Sequence, residues 1–312
     1  MRKLFQNKVA ESKLALPVTS VYAVIVWLLC GLISQQWWVQ FGCFAFSTYL
    51  MAEMNNINAL IRIYSRMVSC TFLMLMCCIC FLFPSQRGAL FQLCIISSMV
   101  VLFYGYQDKQ SVGITYYAYL LLGIGSVAFI QVVFFLPLLW ILMLTNLQSL
   151  SWRTFFASLL GFITPYWIGI CWMVFQNDFT PMISHFMQLT EFEMPYDYSS
   201  LTTNQIASYV LIVLLTLTGI VHYIRRHQGD KIRIRLLFGF FSWIDIVCLV
   251  FIALQPQYYD MLIRISIICT APLLAHFIAL TSTKVTNVAF ITILCLTILL
   301  TGYNIWTASS LF

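Results

Sequence analysis

Long apolar runs constrain this chain more than any other feature of its sequence. Three of them, residues 236–254, 261–280 and 285–306, follow one another near the C-terminus with only short polar breaks between them. A helix needs about 20 apolar residues to cross the hydrocarbon core of a bilayer. Each run therefore predicts a membrane span, and similar runs recur along the rest of the sequence.

The composition excludes a soluble fold. Of the 312 residues, 62% are hydrophobic and only 8% are charged, and the mean hydropathy is +0.91. A water-soluble protein could not cover so much apolar surface with so few polar groups. The sequence predicts an all-α, polytopic transmembrane helical bundle of about 11 spans (roughly 9 to 11), one span per 20-residue run. This bundle forms a single transmembrane domain over residues 1–312.

The 16 Lys and Arg residues predict the orientation of the bundle. Short cytoplasmic loops retain basic residues, and four of them precede the first apolar run, so we expect a cytoplasmic N-terminus. If residues 114–145 leave and re-enter on one side, fourteen basic residues are cytoplasmic, and only Arg87 and Arg264 are outside. A single crossing would leave eight on each side. The first arrangement is preferred, and two short spans or a re-entrant hairpin would both produce it.

This topology defines two functional loops. Residues 177–205 form the outward loop, which has no Lys or Arg and carries four carboxylates: Asp178, Glu191, Glu193 and Asp197. Residues 222–235 form a cytoplasmic basic loop, typical of segments that contact anionic lipids. The net charge of +6 is explained by this topology, and no nucleic-acid partner is expected.

The cysteines and the known motifs narrow the chemistry further. The eleven cysteines lie almost wholly within apolar runs, so we interpret them as small packing residues and expect no disulfide, metal site or cofactor. The sequence contains no GxSxG, HExxH or Walker pattern, and no GxGxxG in a strand-to-helix setting. These absences exclude the enzyme classes that such motifs define and leave open whether the protein is an enzyme.

Two arginines are expected at the outer mouth of the bundle, against the usual charge bias. Arginine binds phosphate bidentately, so Arg87 and Arg264 together could hold the pyrophosphate of a lipid-linked donor. In the outward loop, His185, Glu191 and Glu193 could supply general acid or base groups. The alternative is structural. Arg264 would pair with Asp260 four residues earlier on the same helix, and Arg87 would extend its charge to the interface.

Two further groups are candidate sites. Asp245 and His276 fall inside predicted spans, where ionisable side chains are costly, and they could form a proton relay. The alternative is a hydrogen-bonded carboxyl and a core histidine. Asn58, Arg62 and Arg66 recur every four residues and predict one face of a cytoplasmic helix. That face could bind anionic headgroups or a phosphorylated cytoplasmic substrate, or it could simply be solvated.

Residues 139–153, residues 161–167 and the polar segment 55–62 resemble an uncharacterised family of bacterial multi-pass inner-membrane proteins of about this length. The resemblance implies a bacterial inner-membrane location. In outline the chain is also similar to polyprenol-dependent membrane glycosyltransferases and O-antigen polymerases, which have many spans and a large, late outward loop. Those glycosyltransferases carry an acidic residue in the first outward loop, whereas this chain has Gln35-Gln36-Trp37-Trp38 there.

Three classes of function follow from these candidates. The first, which we prefer, is a cell-envelope assembly protein that handles lipid-linked glycan precursors at the outer face. The second is a secondary transporter or flippase, and the third is a non-catalytic membrane scaffold subunit. The corresponding partners are membrane lipids, a lipid-linked phosphate substrate and other membrane proteins.

Overall fold

The computed structural model describes residues 4–192, 196, 198, 201–226 and 229–309. All regular structure in these residues is helical. The α-helices of the described residues, in chain order, are α1 (Phe5–Ala10), α2 (Ala15–Leu29), α3 (Trp38–Asn58), α4 (Met67–Cys78), α5 (Gln86–Tyr104), α6 (Val112–Ala128), α7 (Leu136–Thr145), α8 (Trp152–Gln176), α9 (Thr180–Met187), α10 (Thr203–Arg226), α11 (Ile232–Leu254), α12 (Tyr259–Leu280) and α13 (Lys284–Ser309). Short 3-10 helices cover Cys80–Leu82, Ile130–Phe135 and Pro256–Tyr258.

Six helices of the described residues are long and apolar enough to cross a membrane: α5, α8, α10, α11, α12 and α13. Shorter apolar helices lie at Ala15–Leu29, Met67–Cys78, Val112–Ala128 and Ile130–Thr145. Helices satisfy their own backbone hydrogen bonds, which is what a lipid environment requires. The predicted class, a helical membrane bundle, is confirmed at this level.

Helix α12 lies at the centre of the bundle. Nearly all of its side chains are buried, and it packs against α4, α10 and α11. By contrast, α8 and α13 bury less than a quarter of their most apolar stretches and present the rest outward. An apolar helix exposed in this way is stable only in an apolar solvent, so lipid is expected around these two helices.

Loop contacts define the two ends of the bundle. At one end, named here the α9 end, the Tyr258 hydroxyl before α12 donates a hydrogen bond of 2.6 Å to the Glu191 carbonyl in the outward loop. At the other, named the His276 end, Arg62 donates to the Gly229 carbonyl over 3.1 Å.

Residues 112–145 form a hairpin that crosses the whole bundle. Its two feet touch, because the Gln107 amide donates to the Leu147 carbonyl over 2.8 Å. Its tip reaches the α9 end, where the side-chain amide of Gln131 donates to the Gln188 backbone carbonyl over 3.2 Å. At about 1.5 Å per residue, α6 alone is some 25 Å long, close to the thickness of a hydrocarbon core. The segment leaves and returns at the same end, as the charge distribution predicted.

Two glycines allow the hairpin to lie directly against α8. A Cβ on Gly161 would lie 2.4 Å from the Tyr116 carbonyl oxygen, and a Cβ on Gly123 would lie 2.5 Å from the Phe162 oxygen. Both distances are too short for any larger side chain. Small residues at such crossings let two backbones approach closely, the usual basis of helix packing in membranes. The hairpin is therefore held by backbone contact with α8.

The predicted helical stripe of Asn58, Arg62 and Arg66 is wrong. Helix α3 ends at Asn58, and Ala59 has a left-handed backbone with φ of 48°. The chain then folds back on the helix, since the Asn55 side-chain amide donates to the Ser65 carbonyl over 3.0 Å. Spacing by four residues has no helical meaning beyond this turn, and the two arginines acquire separate surroundings.

Candidate functional site

A groove with a volume of about 490 Å³ opens at the α9 end between α5, α6 and α9. Most of its lining is apolar or small. It is formed by Arg87, Leu90, Phe91, Cys94, Ile124, Gly125, Val127, Ala128, Pro181, Ser184, His185 and Gln188. Arg87 and His185, which are 98 positions apart in the sequence, thus face one groove. They are its two nitrogen-bearing ionisable side chains.

Arg87 and His185 both have unused hydrogen-bonding capacity. Arg87 is exposed and makes no hydrogen bond or ion pair within the described part of the chain. His185 is half-buried, and its Nε2 has no partner among the described residues. Burial lowers the pKa of His185 below its ordinary value of 6.5, and a hydrogen bond with the Ser126 backbone opposes this shift. At neutral pH the imidazole is uncharged and Arg87 is the cation of the groove.

Helix α9 closes one side of the groove, and local contacts hold it there. The Asp178 carboxylate accepts a hydrogen bond of 2.9 Å from the Thr180 amide, where the helix begins. This bond and the Thr180 side chain lower the pKa of Asp178. Further along, the rings of His185 and Phe186 pack against Tyr166 of α8, with centroids 6.1 and 5.3 Å away. The outward loop therefore begins with an ordered, amphipathic cover.

The acid or base candidates predicted in the outward loop differ in where they lie. His185 lines the groove. Glu191 is exposed and contributes its backbone carbonyl to Tyr258 and Gln257, while its side chain does not line the groove. Glu193 falls outside the described residues, as does Asp197.

Arg264 does not join Arg87. It is 2% exposed inside α12, and its guanidinium donates to the Leu82 carbonyl over 2.6 Å and to the Gln92 side chain over 3.1 Å. The guanidinium also packs on Gly88, where a Cβ would lie 2.7 Å from its Nε. Arg264 thus ties α12 to α5 and to the end of the preceding segment. The predicted outer pair of arginines is not formed.

Asp245 lies at the middle of α11 and is fully buried. Its carboxyl group is hydrogen-bonded to three hydroxyl groups of neighbouring helices: Thr216 of α10 at 3.0 Å, Thr270 of α12 at 2.7 Å, and Ser266 of α12. No Lys, Arg or His side chain lies within 4.0 Å of it in the described part of the chain. The expected alternative, a hydrogen-bonded carboxyl, describes this geometry.

His276 has a different carboxylate partner. Its Nε2 lies 3.0 Å from Asp230 of the basic loop, and Asp230 in turn lies 3.9 Å from the Arg62 Nε. His276 is 1% exposed, whereas the Arg62 side chain is 50% exposed. The structure therefore brings Arg62 and His276 together through Asp230, but it does not bring His276 to Asp245. Arg66 stays apart and donates to the Tyr64 hydroxyl.

Sequence reasoning missed the partners of Asp245 and His276. Asp230 belongs to the basic loop, and its pairing with His276 depends on where that loop folds back. Thr216 was read as ordinary helix, although α10 and α12 share a spacing: Thr216 precedes His222 by six residues, and Thr270 precedes His276 by six. No group of three or more His, Cys, Asp or Glu side chains in the described residues could hold a metal ion.

No family model, curated protein or solved structure matches the chain.

Proposed function

We propose that this protein is a multi-pass inner-membrane protein of bacterial cell-envelope assembly that binds a lipid-linked phosphate at its outer face. The proposal takes the chain to cross the membrane eleven times. The crossing elements are α2 to α6, then the 3-10 helix Ile130–Phe135 together with α7, then α8, and finally α10 to α13. The N-terminus is cytoplasmic, and the α9 end faces outward.

The charge distribution supports this orientation. Arg62, Lys109, Arg153 and the basic loop belong to the His276 end and its connecting segments, while Arg87 belongs to the α9 end. Lys and Arg are retained on the cytoplasmic side of short loops. With Arg264 buried inside the bundle, Arg87 is the basic residue that most needs a reason to be outside. A bound anion would provide one.

The observation that carries the proposal is the joint placement of Arg87 and His185 in a largely apolar groove. A lipid phosphate has an anionic group and an apolar chain, and the groove offers a matching guanidinium, an imidazole and an apolar wall of α5 and α6. Guanidinium binds phosphate oxygens with paired hydrogen bonds, and the free Nε2 of His185 can donate or accept another. Such a groove recognises a phosphate attached to a hydrocarbon chain.

The geometry supports binding and positioning at this site. Among the described residues of the outward loop, His185 is the candidate that could transfer a proton to or from a bound phosphate, since Glu191 does not line the groove. The first outward loop contains no carboxylate, in contrast to the glycosyltransferases that the chain resembles in outline. We therefore propose that the protein holds or delivers the lipid-linked precursor at the outer face.

Native mass spectrometry in mild detergent tests this function. We expect the wild type to retain added polyprenyl phosphate and an Arg87→Ala, His185→Ala double variant to lose it. The matched control is Arg153→Ala, which removes an exposed arginine at the His276 end and should leave binding unchanged. Equal retention by all three proteins would refute the outer phosphate site.

A further inference from the structure

The buried hydroxyl cluster around Asp245 contains more short contacts than its hydroxyl hydrogens can fill. Thr216 and Thr270 each contact Asp245 Oδ2, Ser266 contacts Oδ1, and the two threonine oxygens lie 2.8 Å from one another. These are four oxygen–oxygen contacts. Three hydroxyl groups supply three hydrogens, because each hydroxyl donates once.

An additional proton on Asp245 completes the network. If the carboxyl is protonated, Oδ2 can donate to Thr216, Thr216 to Thr270, and Thr270 back to Oδ2, while Ser266 donates to Oδ1. Every contact then contains one hydrogen. If the carboxyl is ionised, three hydrogens serve four contacts, and one contact among Thr216, Thr270 and Oδ2 has no hydrogen. An uncompensated charge at this depth would also be costly in lipid.

A metal ion does not fit the same place. The oxygens of Thr216, Thr270 and Asp245 Oδ2 lie 2.7–3.0 Å from each other, the spacing of hydrogen-bonded atoms. An ion such as Ca²⁺ needs its ligands about 2.3–2.6 Å from its own centre, and so needs them further apart from each other.

A second polar layer lies along the same two helices. The rings of His222 and His276 are 5.2 Å apart between α10 and α12, and Asp230 bonds to the second of them. Each histidine follows its threonine by six residues, so the two layers are about 9 Å apart along the helices. Gly219 and Leu273 pack between them, and a Cβ on Gly219 would lie 2.8 Å from the Leu273 Cβ.

Each of the two layers has further ionisable groups around it. The thiols of Cys248 and Cys269 lie close enough to Asp245 to interact with it electrostatically, and both are fully buried. Around His276 lie His222, Asp230 and the half-exposed Arg62. Arg62 brings the His276 layer to the protein surface, whereas Gly219 and Leu273 separate the Asp245 layer from it.

From this arrangement we infer that Asp245 binds a proton at neutral pH and that this proton completes a ring of hydrogen bonds joining α10, α11 and α12. The site is separate from the groove at the α9 end.

Infrared spectroscopy tests the proton directly. We expect wild-type protein at neutral pH to show a protonated-carboxyl band that is absent from Asp245→Asn and that shifts downward in D₂O. Aspartate labelled with ¹³C at the side-chain carboxyl assigns the band in the wild type, so the test does not depend on the folding of the variant. A wild type whose aspartates show only carboxylate bands would overturn the proton-binding site.

Discussion

Arg87 lies in the first turn of α5, and Arg264 packs against the same turn, but the two guanidinium groups differ in their hydrogen-bond partners. Arg264 is buried, packs on Gly88, and donates to the Leu82 carbonyl and to Gln92. Arg87 is exposed in the groove, and its donors have no acceptor in the described part of the chain. A guanidinium whose acceptors come from the protein joins helices, whereas one with unused donors can bind a ligand. Charge alone does not distinguish the two; the acceptors do.

The largest expected effect comes from removing the buried guanidinium. Arg264→Met replaces the arginine with an unbranched apolar side chain and leaves the Leu82 carbonyl and the Gln92 oxygen without their guanidinium donor. Each orphaned acceptor costs about 1–3 kcal/mol, so we expect a loss of about 3 kcal/mol. Thermal unfolding in detergent measures it. Arg87→Met is the control, expected within about 0.5 kcal/mol of wild type, and equal losses in both variants would show that the comparison is false.

A smaller loss of stability is expected when a methyl group is added at Gly88, against which Arg264 packs. In Gly88→Ala the new Cβ would lie 2.7 Å from the Arg264 Nε, so the guanidinium must leave its acceptors or α5 must move. Overpacking of this kind costs about 1–3 kcal/mol. Gly42→Ala is the matched control, because no atom lies within 4 Å of a Cβ at that helical glycine. It should be neutral or stabilising by about 0.5 kcal/mol, and a Gly88→Ala protein that behaves likewise would contradict the tight contact.

The sequence predicted the helical class of the fold and placed Asp245 inside an apolar helix, but it did not predict the partners of the ionisable residues. Apolar runs and the charge bias predicted that residues 114–145 leave and return on one side, because both signals depend on composition over many residues. The burial of Arg264 depends on the absence of a side chain at Gly88, and the pairing of His276 depends on where the basic loop folds back. These are tertiary contacts between distant positions, and periodicity within one segment does not encode them. The helix end at Ala59 was missed because no Gly or Pro marks the turn in the sequence.

The smallest expected effect is a pH dependence of phosphate binding that comes from His185 and not from Arg87. Burial holds the pKa of His185 below 6.5, so the free groove carries one positive charge near neutrality. A bound phosphate favours the protonated imidazole and raises that pKa, so binding takes up a proton. Affinity should therefore increase as pH falls below 6.5, by at most about tenfold per pH unit for one proton. Titration of polyprenyl phosphate in detergent at several pH values measures the slope. His185→Gln should bind with little slope over that range and Arg87→Ala should bind weakly while keeping the slope. A slope that persists in His185→Gln would assign the proton to the phosphate itself, and the role of His185 in the groove would then be lost.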